Sequence, residues 1–302
     1  MDRWQAMRIF VRTADCGSFT GAARQLGMSP PAVTRAVAAL EEAIGTRLLT
    51  RTTRSVRLTE PGQRYLEDCR RILSDIEEAE AAAAGSYATP SGTLTVTASV
   101  QFGRIYVLPV MTEYMSRHSG VTLRALFVDR VINMLEEGAD VGIRIGHLPD
   151  SGLIAARVGS VRRVVCAAPD YLARNGTPAS PRDLRDHVVI GSAGLEQSSE
   201  WRFGPDRKMA VSVRPRLVCN TIDAALAAAI SGHGIARLLS YQVAPALAEG
   251  RLAIVLEEHE EQPVPIHVVH SGGGRPSAKV RTFTELAIQR LRGNRLLQPS
   301  VP

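Results

Sequence analysis

The sequence predicts an α/β protein in three parts: a helical segment closed by a hairpin, one long helix, and a larger region where strands alternate with helices. Three observations predict this. Charge is divided unevenly, with nine Arg against five acids in residues 1–60 (net +4), three against six in 61–88 (net −3) and 24 against 19 in 89–302 (net +5). Apolar spacing changes at the same places, from periods of three and four, to one continuous helical seam, to short apolar runs. The length of 302 residues, 45% apolar and 22% charged, suits two or three domains with substantial cores and excludes disorder over most of the chain.

The formal charge of +6 favours an anionic partner without naming it. Every cation except Lys208 and Lys279 is an arginine, a bias that genomic base composition explains as readily as nucleic-acid binding. The first nineteen residues mix charged and apolar positions and do not read as a secretory signal. The longest apolar stretch, 224–230, is far too short to span a membrane. Cys16, Cys69, Cys166 and Cys219 lie far apart, with no C-x-x-C and no histidine at ligand spacing. Reduced thiols in a cytoplasmic protein without a metal site are therefore expected.

Trp4, Met7, Ile9, Phe10 and Val11 predict an amphipathic helix ending near Cys16 and Gly17. Ser18 then caps a short helix, 19–26, with Ala22, Ala23 and Leu26 on one face, and Gly27 stops it. Ser29 is a second N-cap, followed by Pro30 and Pro31 where first-turn N–H groups lack intrahelical partners anyway. That helix runs to about residue 43. Val33, Val37, Leu40 and Ile44 face inward at spacings of 4, 3 and 4, leaving Thr34, Arg35 and Ala38 outside; Gly45 closes it. Two short helices joined by Gly-Met-Ser form a helix-turn-helix pattern. A helix that enters a major groove about 12 Å wide needs small or hydrogen-bonding side chains near its N-terminus, and no outward residue here is bulky and apolar.

Residues 48–51 and 56–59 predict two short strands around a tight turn, a β-wing. Arg51, Arg54 and Arg57 fall within seven residues with no acid among them. A solvated basic hairpin would look the same; its place directly after a helix-turn-helix favours contact with a phosphate backbone or a minor groove. Pro61 and Gly62 open the long helix, in which Tyr65, Cys69, Ile72, Ile76, Ala79 and Ala83 alternate at 4 and 3. A narrow seam over 61–84, about 36 Å, with acidic flanks predicts a dimerisation helix. Packing of the seam on the chain itself is the alternative. Residues 85–92 read as a breaker-rich hinge.

The run SFTGAARQLGMSPPAVTRAVAALEEAIGTRLLTRTTRSVRLTEPGQRYL resembles the N-terminal region of LysR-type transcriptional regulators, and the likeness continues more loosely through the rest of the chain. The resemblance implies a winged helix-turn-helix (1–60), a linker and dimerisation helix with its hinge (61–88), and an effector-binding domain like periplasmic solute-binding proteins (89–302). That domain would have two α/β lobes, 89–167 with 270–302 and 168–269, crossing near 167–169 and 269–272. Carried over by position, the motif implies DNA contacts at Ser29, Pro30, Pro31, Thr34 and Arg35 and wing contacts at Arg51 and Arg54. The family commonly has Gln where Pro30 stands. Thr34 and Arg35 would then carry more of the base reading, Arg35 as a bidentate partner of guanine. Double-stranded DNA, a small-molecule effector, further copies of the chain as dimer or tetramer, and RNA polymerase are the implied partners; no cofactor is.

In the C-terminal region, strands are expected at 94–99, 123–128, 141–145, 163–167, 188–190, 211–218, 252–256 and 266–270, and helices at 106–117, 131–137, 221–231 and 278–291. This alternation argues for α/β units with parallel sheets. Ligands of such sheets bind beyond the carboxyl ends of strands. That rule selects Ser99, Gln101 and Phe102 after the first strand, Arg144 and Gly146 after the third, and Asn220 and Thr221 at a helix start. Hydroxyls, helix-end N–H groups and Arg144 suit a small anion, often a carboxylate. Ordinary capping by Ser99 and Thr221, and an internal ion pair for Arg144, are the alternatives. Pro109 interrupts the first helix of the region, and Leu239 stands where the family usually has Pro.

No catalytic constellation emerges. Gly191-Ser192-Ala193-Gly194 lacks the spacing of a nucleophile elbow. His259-Glu260 is followed by Pro263 where a zinc helix needs its second histidine. His267 and His270 face opposite sides of a strand, Gly272-Gly273-Gly274-Arg275 lacks the Lys-Ser/Thr of a phosphate loop, and Arg237 breaks the glycine pattern begun at Gly232. Cys166 reads as a small core residue. Two functions from different classes are therefore set against each other: a ligand-responsive DNA-binding regulator, and an α/β solute-binding or enzymatic domain that its N-terminal extension merely oligomerises.

Overall fold

A computed structural model describes residues 2–51, 56–83, 89–134, 136–148, 152–192, 200–272 and 276–298. The chain divides into two compact units, Met1–Thr89 and Pro90–Pro302.

The N-terminal unit follows its punctuation. Helix α1 (Arg3–Cys16) starts on Asp2, whose carboxylate accepts the Trp4 N–H at 3.4 Å. Ser18 Oγ accepts the Gly21 N–H at 3.3 Å and starts α2 (Phe19–Leu26). Helix α3 (Pro30–Ile44) begins with its two prolines. All three helices end on a left-handed glycine, Gly17, Gly27 and Gly45, a conformation with no steric cost where Cβ is absent. Strands β1 (Leu49–Arg51) and β2 (Val56–Leu58) pair antiparallel, Leu49 opposite Leu58. Glu41 Oε1 on α3 accepts both the Leu48 and Leu49 N–H groups, at 2.8 and 2.9 Å, and so fastens the wing to α3.

Helix α4 (Glu60–Ala83) corrects the seam. Cys69 is fully buried in the unit's own core with Phe10, Val37 and Leu40, burial pushes its thiol up to about 11, and the Tyr65 ring lies 5.7 Å from that of Phe10. Leu66, also in that core, shares the buried stripe. Tyr65 and Cys69 thus face inward, because α4 lies along α1 for its first turns; Ile72 and Ile76 stay half-exposed. The close approach of α4 to the wing depends on Gly62, where a Cβ would stand 1.9 Å from the Leu48 carbonyl oxygen. The side chains of Ala79 and Ala83 and residues 85–88 of the expected hinge lie outside the described residues, and Gly92 opens β3.

The C-terminal unit holds two five-stranded sheets. The first has the order β4 (Val121–Phe127), β3 (Gly92–Ala98), β5 (Val141–Ile145), β14 (Val264–Ser271), β6 (Leu153–Val161). The second runs β11 (Pro215–Cys219), β8 (Val189–Ser192), β12 (Ile235–Leu239), β7 (Arg163–Ala167), β13 (Ala253–Val255). A hairpin of β9 (Glu200–Phe203) and β10 (Met209–Ser212) adds to the second lobe. Helices α6 (Leu108–Arg117) and α10 (Ala278–Arg292) cover the first sheet's core; α7 (Pro169–Asn175), α8 (Ile222–Ile230) and α9 (Ser240–Ala248) belong to the second lobe.

Five expectations need correction. Both sheets are mixed, not parallel, because β14 returns antiparallel to β5 and β6, and β7 runs against both β12 and β13. The lobes change over at Arg162, between β6 and β7, and again after β13 and before β14. β7 therefore belongs to the second lobe and β14 to the first, where bounds at 167–169 and 269–272 put them the other way. The expected helix at 131–137 is irregular at 131–133 and turns at 134 and 136–137 among its described residues; Ile132 and Met134 are buried, and a Cβ at Gly142 would meet the Met134 sulfur at 2.9 Å. The expected strand at 211–218 breaks after Ser212 because its halves pair in different sheets, β10 with β9 and β11 with β8. Pro109 causes no break: α5 (Val100–Phe102) leads into a π-helical turn, Gly103–Val107, and the proline falls in the first turn of α6.

The crossover is clasped by charge. The Arg162 N–H donates to Ser240 Oγ at 3.1 Å, and its guanidinium meets Glu257 at 2.6 Å and Glu260 at 3.4 Å. Burial pushes the Glu260 carboxyl up to about 6 against the pull of Arg162. A carboxyl raised above its unfolded value is protonated more readily when folded, so its contribution to stability falls as pH rises from about 4.5 through 6. Glu260→Gln should then stabilise the protein by about 1 kcal/mol at pH 7.5, after allowance for solvent screening, and by almost nothing at pH 4.5. Urea midpoints at the two pH values measure it; an equal effect at both would refute the assignment.

Candidate functional site

On α3 the side chains of Ser29, Pro30, Pro31 and Arg35 are exposed and Thr34 is half-exposed, while Val33, Ala36, Val37 and Leu40 are buried. The paired prolines have a local consequence. Pro31 lacks one of the two N–H groups a Ser cap can serve, and the other, on Ala32, goes with that of Val33 to the Ser29 backbone carbonyl at 2.9 and 3.2 Å. The Ser29 hydroxyl makes no capping bond and is left for other work. Arg35 Nε donates to the Pro31 carbonyl at 3.4 Å, which restrains the side chain along the helix and leaves its terminal nitrogens outward.

Arginine pairing differs between regions of this unit. Among the described residues Arg24, Arg35, Arg47 and Arg57 have no carboxylate at ion-pair distance. Those of α4 are matched: Arg64 with Glu60 at 2.8 Å, Arg71 with Asp68 at 2.7 Å, and Arg70 with Asp15. Arg51 ends β1 opposite Val56, its side chain outside the described residues, as Arg54 is altogether. Glu41, which anchors the wing, was invisible to spacing because its partners are backbone groups seven and eight residues away.

In the C-terminal unit the loop after β3 meets the second lobe. Gln101 is buried and its Nε2 donates across the cleft to Asp223 Oδ1 on α8 at 3.2 Å. Arg104 lies 3.8 Å from the same oxygen. Asp129 Oδ1 accepts the Val100 N–H at 2.9 Å. Gln101 Oε1 is buried without a hydrogen-bond partner among the described residues. Tyr241, from α9, packs edge-on against both Phe102 and Tyr106, ring centroids at 5.3 and 5.8 Å, and burial pushes its hydroxyl up to about 12.

These placements sort the expected ligand residues. Ser99 is half-buried and Gln101 buried where the chain leaves β3, with Gln101 meeting Asp223 of the second lobe. The Phe102 ring is fully buried in the first lobe's core with Tyr106 and Tyr241, since it follows Gln101 into the helix. Arg144 is half-buried at the end of β5, gives Nη2 to the Ile132 carbonyl at 3.3 Å, and is pulled below the usual arginine range by burial. Gly146 donates its N–H to Pro265. Asn220 is exposed, and Thr221 Oγ1 takes up the Ala224 N–H at 3.4 Å as an N-cap, the ordinary role for that position. Asp129 and Asp223 were missed because their partners are 29 and 122 residues distant, beyond any local pattern.

A three-helix unit with a hairpin wing, followed by a unit of two mixed five-stranded sheets, defines the two-module architecture of a transcriptional regulator. Comparison with known proteins agrees. Residues 4–63 match the bacterial regulatory helix-turn-helix family described as lysR, and residues 88–292 match the LysR substrate binding domain. The chain is 34% identical over 293 residues to an HTH-type transcriptional repressor of Pseudomonas aeruginosa, covering 96% of this chain and 92% of that protein. It is 31% identical over 291 residues to the HTH-type transcriptional regulator CrgA of Neisseria meningitidis serogroup C, covering 96% and 97%. The solved structure of a CrgA from Neisseria meningitidis superposes with a TM-score of 0.61 at 30% identity over 96% of this chain and 99% of that one. The chain belongs to the LysR family of transcriptional regulators. Among the described residues no helix is long and apolar enough to cross a membrane.

Proposed function

We propose that this regulator reads DNA with α3 and its wing, under control of a small molecule held between the two C-terminal lobes. The observation that carries this reading is the outward side of α3: small, unburied, and bearing in Arg35 a cation with no carboxylate partner among the described residues. Ser29, Pro30, Pro31, Thr34 and Arg35 would face base edges, with Arg51 and Arg54 on phosphate. The working division is 1–60 for DNA, 61–88 for linking and 89–302 for sensing, in a cytoplasmic protein that catalyses no reaction. Bound effector would alter lobe closure and so the placement of the DNA-binding units, with coupling of about 1–3 kcal/mol. RNA polymerase is the further partner this scheme calls on.

The test is the affinity of the full chain for fragments of its own genome as salt is varied. Log affinity should fall linearly and steeply with log salt, as counterions leave the phosphates. An affinity indifferent to salt would favour the alternative, an oligomerised solute-binding protein.

Two helix-turn-helix units bound to an inverted repeat require a dimer. With Tyr65 and Cys69 engaged in their own core, the seam narrows to Ile72 and Ile76. Ile72→Asp should therefore shift the protein toward monomer in sedimentation velocity, with the helical content of the N-terminal unit kept. An unchanged sedimentation coefficient would place the interface elsewhere.

A further inference from the structure

The cleft between the lobes also bears on which end of a ligand it recognises, given the reading of that cleft as the effector site. Several of its donors are already engaged. The Val100 N–H goes to Asp129 Oδ1 at 2.9 Å and the Gln101 amide N–H to Asp223 Oδ1 at 3.2 Å. Arg104 faces the same Asp223 oxygen from 3.8 Å, and Arg144 gives its Nη2 to the Ile132 carbonyl. On the Gln101 side chain itself, what is left over is an acceptor. Because Asp223 takes the amide nitrogen, the orientation of the Gln101 amide is fixed, and its oxygen is the atom without a partner. Gln101 is only 5% exposed, so that oxygen has lost water as well. A buried acceptor left unmatched is costly, and a ligand that supplies the missing donor recovers that cost.

A carboxylate would not. It would bring further acceptor oxygens to that amide oxygen, on a side chain whose nitrogen already faces the Asp223 carboxylate. We propose that the cleft recognises the N–H donor end of a small molecule, an ammonium or a primary amide, through Gln101 Oε1 with Asp129 and Asp223 beside it. The carboxylate suggested by the positions of Ser99, Arg144 and Thr221 is replaced by the opposite polarity. The reversal arises from Asp129 and Asp223, which occupy the donors such an anion would use.

Matched probes test this: benzoate, benzamide and benzylamine, and butyrate, butyramide and butylamine, added at equal concentration to the full chain. The melting transition is followed through Trp201 emission in a Trp4→Phe background. Amide or amine members should raise the melting temperature in a dose-dependent way, with the carboxylate member of each set giving no shift. Gln101→Leu should abolish the response, and Asp223→Asn, which turns an acceptor into a group that can donate, should move the preference toward the carboxylate. The unliganded melting temperature of each variant reports whether it folds. If carboxylates stabilise the wild-type protein and Gln101→Leu removes that effect, the cleft holds a ligand but the polarity proposed here is wrong. If no member of either set shifts the wild-type protein, the polarity proposal and the assignment of the cleft as the effector site both fall.

Discussion

Replacing Glu261 with alanine should cost the C-terminal unit about 3–5 kcal/mol, the loss expected when one partner of a buried ion pair is removed and the other stays behind. Glu261 is 2% exposed at its side chain and collects three arginines: Arg163 at 2.8 Å, Arg237 at 3.1 Å and Arg207 at 3.1 Å. Arg163 and Arg207 reach solvent in part and can rehydrate. Arg237 cannot, since its side chain is 3% exposed and its guanidinium lies over the Phe203 ring, 5.0 Å from the centroid, and near Trp201 at 5.8 Å. The carboxylate therefore offsets a charge that water cannot reach. It also joins β7, β12 and the segment leading into β14, so its loss loosens one side of the lobe crossover. Trp201 sits at the cluster, and the chain's other tryptophan, Trp4, lies in the N-terminal unit. Urea unfolding followed by Trp201 emission in a Trp4→Phe background isolates the effect. Glu261→Gln should lose less, because an amide still accepts from Arg163 and Arg237. If Glu261→Ala shifts the midpoint no more than an exposed control such as Glu258→Ala, the cluster is not what holds this lobe.

Glu261 also illustrates where sequence reading stops. In the run Glu257-Glu258-His259-Glu260-Glu261 nothing distinguishes one acid from the next, and a solvated acidic turn is the natural interpretation. Its partners come from 24, 54 and 98 positions away, brought together only by the sheet order. Features that depend on neighbours within one turn were legible: Ser18 as a cap, glycines at three helix ends, and the alternation of Val33, Val37 and Leu40. The seam on α4 shows the intermediate case. A 4-and-3 stripe states that a helix buries one side but not against what, so Tyr65 and Cys69 read as dimer contacts although they line their own core. Strand β6 escaped because its nine residues do not alternate, its buried positions falling together in its second half. The rule about strand ends selects Ser99 and Gln101, whereas the carboxylates met there, Asp129 by the Val100 N–H and Asp223 by the Gln101 amide, come from distant parts of the chain.

Arg35→Ala should lower affinity for the operator by ten- to a hundredfold and flatten the preference among sequences, the effect of losing one good base contact worth about 1–3 kcal/mol. The expectation rests on how α3 is built. With proline at both leading positions the helix offers neither the amide side chain common at the first of them nor the N–H groups of its first turn, so fewer groups remain to tell one base pair from another. Of the exposed residues there, Arg35 has the longest reach and the most donors, and its tether to the Pro31 carbonyl through Nε leaves the two terminal nitrogens for a guanine edge. Arg57 on the wing provides the contrast. It is exposed and lacks a carboxylate partner among the described residues, but it belongs to the hairpin, so Arg57→Ala should weaken all sequences alike and reduce the salt slope by about one. The two substitutions remove the same charge, and a purely electrostatic grip would make them equivalent. Competition binding of operator against shuffled DNA at two salt concentrations separates the cases. Should both variants show equal loss on both DNAs, α3 would be a phosphate clamp and the sequence would have to be read elsewhere.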